Sequence, residues 1–313
     1  MIVHNFSDNA PGGWLAFELS VLRRLKFYSV VNPFAGESTL DVYLKRWGAS
    51  VASNDAARWA WTRATARVAN NTERLAADEV AALLEEAYVP RHKLYNPALR
   101  RWFGETDAWW FDNIRAAVDE LFASETARAL ALDIAMMVGD YALSFDDETR
   151  EMRQPLSRVF RRLWEAAPAP IDNERRNTAA SGEARDFLAG QQTDLLFLRL
   201  PRPARRNARH SSWAWREEWI RGGDDFWNDF ESERNGRLGA RVETRQQYLN
   251  NVEELLATAA HLPTWAIAHT ENGFISTEEL VETIRRVRKV GTIYSKDFSE
   301  LMGARAVIVT AEG

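Results

Sequence analysis

Four segments carry residues suited to chemistry on a flat, charged ligand. Asn32-Pro33-Phe34-Ala35-Gly36 closes a β-branched run that begins at residue 29, and Asp55 follows a second run at 51–53. Small residues and a glycine after a strand let backbone amides approach a nucleoside closely, and a carboxylate after the next strand can accept hydrogen bonds from both ribose hydroxyls. The third segment is the apolar run from Asp194 that ends in Arg199-Leu200-Pro201-Arg202. A guanidinium has five donors and no acceptor and keeps its charge, so Arg199 cannot orient the lone pair of an attacking amine as a carboxylate would. Left free at about 5 Å from a cationic ligand, with an effective dielectric near 20, it would repel that ligand by about 3 kcal/mol. Paired with a nearby carboxylate at the sheet's edge, it would be structural. No acidic residue lies between Asp194 and Glu217, so no carboxylate stands near the end of this run.

The fourth segment interleaves Arg202, Arg205, Arg206, Arg209, Arg216 and Arg221 with Trp213, Trp215 and Trp219. Cations that track phosphates and aromatic faces that stack on bases have this composition. The same stretch holds Glu217, Glu218, Asp224 and Asp225, which would make it a solvated, self-paired loop instead. Three smaller features have structural readings as their defaults. Trp109-Trp110-Phe111 reads as helix core rather than a base wedge, Asp146-Asp147-Glu148 as the acidic start of a helix rather than a metal site, and His269 as packing near the cleft.

The elements that must position these residues follow from periodicity. A strand at 29–33, a helix through Trp47 ended by Gly48, a strand at 51–53 and a helix at 57–70 make a βαβα start, which implies a parallel sheet. From 75 to 167 the pattern is helical, with apolar positions such as Ile114, Val118 and Leu121, and the Pro168-Ala169-Pro170 loop bounds it. Strands return at 195–200, 265–268 and 306–310, with residues 202 to 246 as a partly helical surface excursion.

The 313 residues, 46% hydrophobic and 27% charged, suit a soluble globular chain with a sizeable core. No apolar run reaches the ~20 residues of a membrane span, and the N-terminus lacks a signal-like pattern, so no membrane partner and a cytoplasmic location are expected. With no cysteine and five scattered histidines, disulfides, thiolate catalysis and a structural metal are not expected. The net charge of −5 disfavours a uniformly basic surface but allows a local basic cleft.

Taken together, Asn32-Pro33-Phe34-Ala35-Gly36, the helix with Leu44-Lys45-Arg46 and Gly48, and Asn54-Asp55 resemble the S-adenosylmethionine-dependent DNA adenine methyltransferase family. The resemblance resumes at Ser181-Gly182-Glu183-Ala184, similar to the family's Gly-Asp-Ala turn, and at Trp265 to Ser276 followed by Glu278-Glu279-Leu280. It implies an α/β fold, a Rossmann-like methyltransferase sheet formed by 1–74 and 168–313, with a mainly helical insertion at 75–167 as a target-recognition region. It also implies S-adenosylmethionine held by Asn32, Pro33, Phe34, Ala35, Gly36, Asp55 and Glu183, and DNA contacted by Arg202, Arg205, Arg206, Arg209, Trp213 and Trp215. Two departures change the expectation. Glu37-Ser38 stands where the family has a small residue and then glycine, and the family's Asp-Pro-Pro-Tyr is replaced by Arg199-Leu200-Pro201-Arg202. Arg202 keeps a planar cation that can stack on a base. The expected function is therefore a non-catalytic relative that binds DNA, an active methyltransferase subunit or another protein subunit. The alternative is a working enzyme in which Glu183, Asp186 or His269 replaces the lost acid.

Overall fold

The computed structural model describes residues 13–146, 148–203, 206–271 and 274–313; Arg205 and Asp147, named above, and the Asn272-Gly273 pair lie outside them. The chain opens with α1 (Trp14–Leu22), β1 (Ser29–Asn32), α2 (Thr39–Arg46), β2 (Ser50–Asp55) and α3 (Arg58–Ala64), which continues as a π-helical turn over Thr65–Ala69. Next come α4 (Ala77–Glu86), α5 (Glu105–Leu121), α6 (Glu125–Leu143) and α7 (Leu156–Glu165). The chain returns through β3 (Thr178–Ser181), α8 (Ala184–Ala189), β4 (Leu195–Arg199), α9 (Ala214–Arg221), α10 (Trp227–Arg234) and α11 (Arg245–Thr258). It closes with β5 (Thr264–Glu271), α12 (Thr277–Val287), β6 (Lys289–Asp297), α13 (Ser299–Met302) and β7 (Arg305–Glu312). Among these, no helix is long and apolar enough to cross a membrane.

The strands form one mixed, mostly parallel sheet in the order β3-β2-β1-β4-β5-β7-β6, with β7 antiparallel to both of its neighbours. Alternate side chains enter opposite layers, as the two-residue strand period requires. Val30, Leu195 and Phe197 pack on one face with α1 and α2, whereas Val31, Leu196 and Leu198 pack on the other with α8, α11 and α12. Because β4 is buried on both faces, its sequence is a continuous apolar run with no alternation. A third cluster joins α4 to α7 with Ala57, Trp59 and Ala60 of the α3 segment and with Trp215, Trp219 and Ile220 of α9.

That last membership corrects the expectation of a surface excursion after β4. Helix α9 is buried along its whole length up to Ile220, acids included. Each of those acids is met by specific donors. Glu217 accepts from the Arg58 and Trp59 amides at 3.0 Å each, capping the start of α3, and pairs with Arg221 at 2.6 Å. Glu218 accepts from the indoles of Trp102 and Trp227 and from Arg101. Trp110 and Phe111 are buried in the helical core, in line with the packing reading, and Asp146 accepts the amide of Thr149 in a turn before a short 3-10 segment at Arg150–Met152 rather than starting an α-helix.

Candidate functional site

Strand β1 pairs with β2 on one side and β4 on the other, so connections leave it in opposite directions, and a crevice opens beyond the strand ends at such a switch point. A cleft of about 780 Å³ lies there, walled by the turn after β1, the end of β2, the segment after β4, and α10 with its following loop. Of the expected cofactor residues, Phe34, Gly36 and Asp55 line it. Gly36 holds a positive φ of 50°, which glycine adopts without strain. Its amide and that of Ala57 donate to the two oxygens of Asp55 at 3.0 Å each, so the carboxylate is tied into the turn. Burial raises the Asp55 pKa, and these two bonds oppose the shift.

Asn32, Pro33 and Ala35 act beneath the cleft. The Asn32 amide group donates to Asp41 at 2.9 Å and its oxygen accepts from Phe34, while the Pro33 carbonyl accepts from Asn54 and the Ala35 amide donates to the Asn54 carbonyl. Ser53 donates to the other Asp41 oxygen at 2.6 Å, and burial carries Asp41 up to about 6. Glu183 sits elsewhere. Its carboxylate caps α8 through the Arg185 and Asp186 amides, pairs with Arg237 at 2.7 Å and takes no part in the cleft wall.

Ser38 has a φ of 54°, left-handed like a glycine, although it carries a side chain. Its hydroxyl is buried with no hydrogen-bond partner among the described residues. A residue with a side chain thus strains to hold a conformation that suits glycine, at about 1 kcal/mol. Ser38→Gly removes both the strain and the orphaned hydroxyl, partly offset by the entropy of an added glycine. We expect urea unfolding to show a gain of about 1 kcal/mol; a loss would mean that the hydroxyl is used.

Glu37 does not face the cleft as a free charge. It bonds Arg63 and, at 2.7 Å, Arg216, both almost wholly buried. Arg63 continues to Asp133 at 2.8 Å, Asp133 to Arg67 at 2.6 Å, and Arg216 to Asp140 at 2.6 Å. Three carboxylates therefore answer three guanidiniums, binding the turn after β1 to α3, α6 and α9. Arg216 is structural, and Trp215 and Trp219 are fully buried, which removes these three from the expected stacking and phosphate surface.

Arg199 is paired as well. Its guanidinium makes two bonds, 2.8 and 2.6 Å, to the fully buried carboxylate of Glu18 in α1. The pair lies in the interior of the sheet, on β4, rather than at an edge strand. Its charge is answered, so the repulsion expected of a free cation does not arise. Leu200 is buried and Pro201 lines the cleft, its carbonyl accepting from Tyr248 at 2.8 Å. By contrast, Arg202 and Arg206 line the cleft, are exposed and make no ion pair among the described residues; Arg209 shares those last two properties just outside it. Trp213 lines the cleft beside Trp59, ring centroids 6.0 Å apart.

Two cleft residues that the sequence reading did not name carry a buried polar atom with no hydrogen-bond partner among the described residues. Trp59, 6% exposed, lines the cleft with its indole N–H unpartnered, and Glu231 of α10 lines it with a buried, unpartnered Oε1. Trp59 stands one helical turn after Asp55, a spacing that points at the strand-end crevice. Glu231, far from every motif, gave no such signal. Arg234 of α10 also lines the cleft, donates to the Gly239 carbonyl at 2.9 Å, and lies in the field of Asp55, Glu217, Glu183 and Glu231. His269 is buried outside the cleft wall, held neutral because burial pushes it down to about 4. Asp186 is exposed.

Compared with known proteins, the chain matches no protein-family model and no curated protein.

Proposed function

We propose that the protein is a methyltransferase-like, non-catalytic protein that binds nucleic acid, DNA by the resemblance above, through the cleft beyond β1, β2 and β4. The strand order supports the methyltransferase-like part of this reading. It runs 3-2-1-4-5 across the switch point between β1 and β4, as doubly wound nucleotide-binding sheets do, and carries a reversed β7 between β5 and β6. The single observation that carries the loss of chemistry is at the end of β4. Arg199 there is locked to Glu18, and Arg202 presents a cation to a cleft where an amine acceptor would need a carboxylate.

The residues present do not suit S-adenosylmethionine. Both Asp55 oxygens are tied to the Gly36 and Ala57 amides, and Glu183 is committed to a helix cap and to Arg237 outside the cleft wall. Calorimetric titration with this cofactor is expected to give no saturable heat. The nucleic-acid part rests on exposed Arg202 and Arg206 in the same cleft as the partly buried Trp213 ring. Arg202→Gln with Arg206→Gln should weaken single-stranded oligonucleotide binding about tenfold and lower the salt dependence of log K by about 1.4, two phosphate contacts' worth. Unchanged affinity and slope in fluorescence anisotropy would refute it. An interaction through a partner subunit alone would give no oligonucleotide binding even at low salt.

One observation favours a second reading, a transferase with a relocated acceptor. The unpartnered Glu231 oxygen is a carboxylate in the cleft, a role the sequence offered to Glu183, Asp186 or His269. On that reading Glu231→Gln abolishes methyl transfer.

A further inference from the structure

A second cavity, about 530 Å³, adjoins the cleft and shares Arg206 and His210 with it. Trp102 and Arg209 also line it. Its acids are already answered: Glu218 by two indoles and Arg101, Asp224 by Arg101 at 3.0 Å. Arg206 and Arg209 have no such partner among the described residues and are exposed. The two chambers therefore each hold a partly buried indole, Trp213 in one and Trp102 in the other, with the exposed Arg206 shared between them and the exposed Arg209 in the second. Successive nucleotides of one strand repeat the same pattern of ring, phosphate, ring.

We infer that the site takes single-stranded nucleic acid across both chambers, one base against Trp213, the next against Trp102, and the linking phosphates at Arg206 and Arg209. This deepens the nucleic-acid reading above and rests on it. A duplex does not fit the inference, because its base faces are already stacked on one another and only unpaired bases can offer a face to a side chain. A mononucleotide fills one chamber only.

The test is anisotropy and competition at low salt with a mononucleotide, a short single strand, and that strand annealed to its complement. The strand should bind about tenfold more tightly than the mononucleotide and than the duplex. Arg209→Ser, an exposed change, should weaken the strand several-fold and leave the mononucleotide unchanged, and Trp102→Leu should do the same wherever circular dichroism shows it folded. A duplex that binds as tightly as the strand, or a strand indifferent to Arg209→Ser, overturns the two-chamber inference while leaving nucleic-acid binding intact. Failure of all three ligands to bind at low salt overturns both.

Discussion

Glu18→Gln is expected to destabilise the protein by about 3–5 kcal/mol in chemical denaturation at neutral pH. Both bonds from Arg199 end on the Glu18 carboxylate, which has no exposure, and the guanidinium has little. A neutral amide in that place leaves a buried cation whose desolvation is no longer matched, and it turns an amide donor toward another donor. Asp41 also lies in the field of Arg199, but burial raises its pKa to about 6 and its oxygens are engaged by Asn32 and Ser53. It is a poor substitute. The double variant Glu18→Leu with Arg199→Met should recover most of the loss, since an apolar pair of similar volume has no charge to desolvate. A Glu18→Gln protein within 1 kcal/mol of the original would mean that Arg199 is solvated elsewhere, and the view of this cation as a structural tie between α1 and β4 would fall.

The second large effect is steric. Gly139 of α6 lies under Trp215, and a Cβ built there would sit 2.1, 2.6 and 2.7 Å from three atoms of the indole ring. Trp215 is fully buried, with Phe103, Phe111 and Trp219 around it at centroid distances of 5.4, 5.9 and 6.3 Å. The ring has no room to retreat. Gly139→Ala should therefore cost about 2–3 kcal/mol, even though alanine favours the helix by about 1 kcal/mol over glycine. Because α9 also supplies the Glu217 cap of α3 and the Arg216 contact to Glu37, the displacement should reach the cleft and weaken oligonucleotide binding in the folded fraction. Pairing it with Trp215→Phe should restore stability. Gly139→Ala alone behaving as the original would contradict the packing described for α9.

Much of the sheet was legible in the sequence because its central strands are buried on both faces and read as apolar or β-branched runs; β1, β2, β4, β5 and β7 fall at the expected places. Two strands did not announce themselves. Thr178–Ser181 is made of small residues, and Lys289–Asp297 is largely exposed on both faces, so neither β3 nor β6 carries a period-two apolar pattern. Both are edge strands. The site was legible in part. Gly36 and Asp55 were marked by strand-end chemistry, and Arg202 and Arg206 by composition, whereas Glu231 is notable for an oxygen with no hydrogen-bond partner among the described residues, which no spacing can reveal. Helix α9 was misread because two adjacent acids ordinarily signal solvent; here their donors come from Arg58, Trp59, Trp102 and Trp227, distant in the chain for the most part.

A direct test of the central claim joins binding to chemistry in one tube. The protein is incubated at low salt with a single-stranded oligonucleotide that anisotropy shows to be bound, together with S-adenosylmethionine labelled on its methyl group, and the oligonucleotide is then recovered and counted. The expected result is a bound strand with no label above that of a protein-free control. Label on the recovered strand that disappears with Asp55→Ala or Glu231→Gln would contradict it.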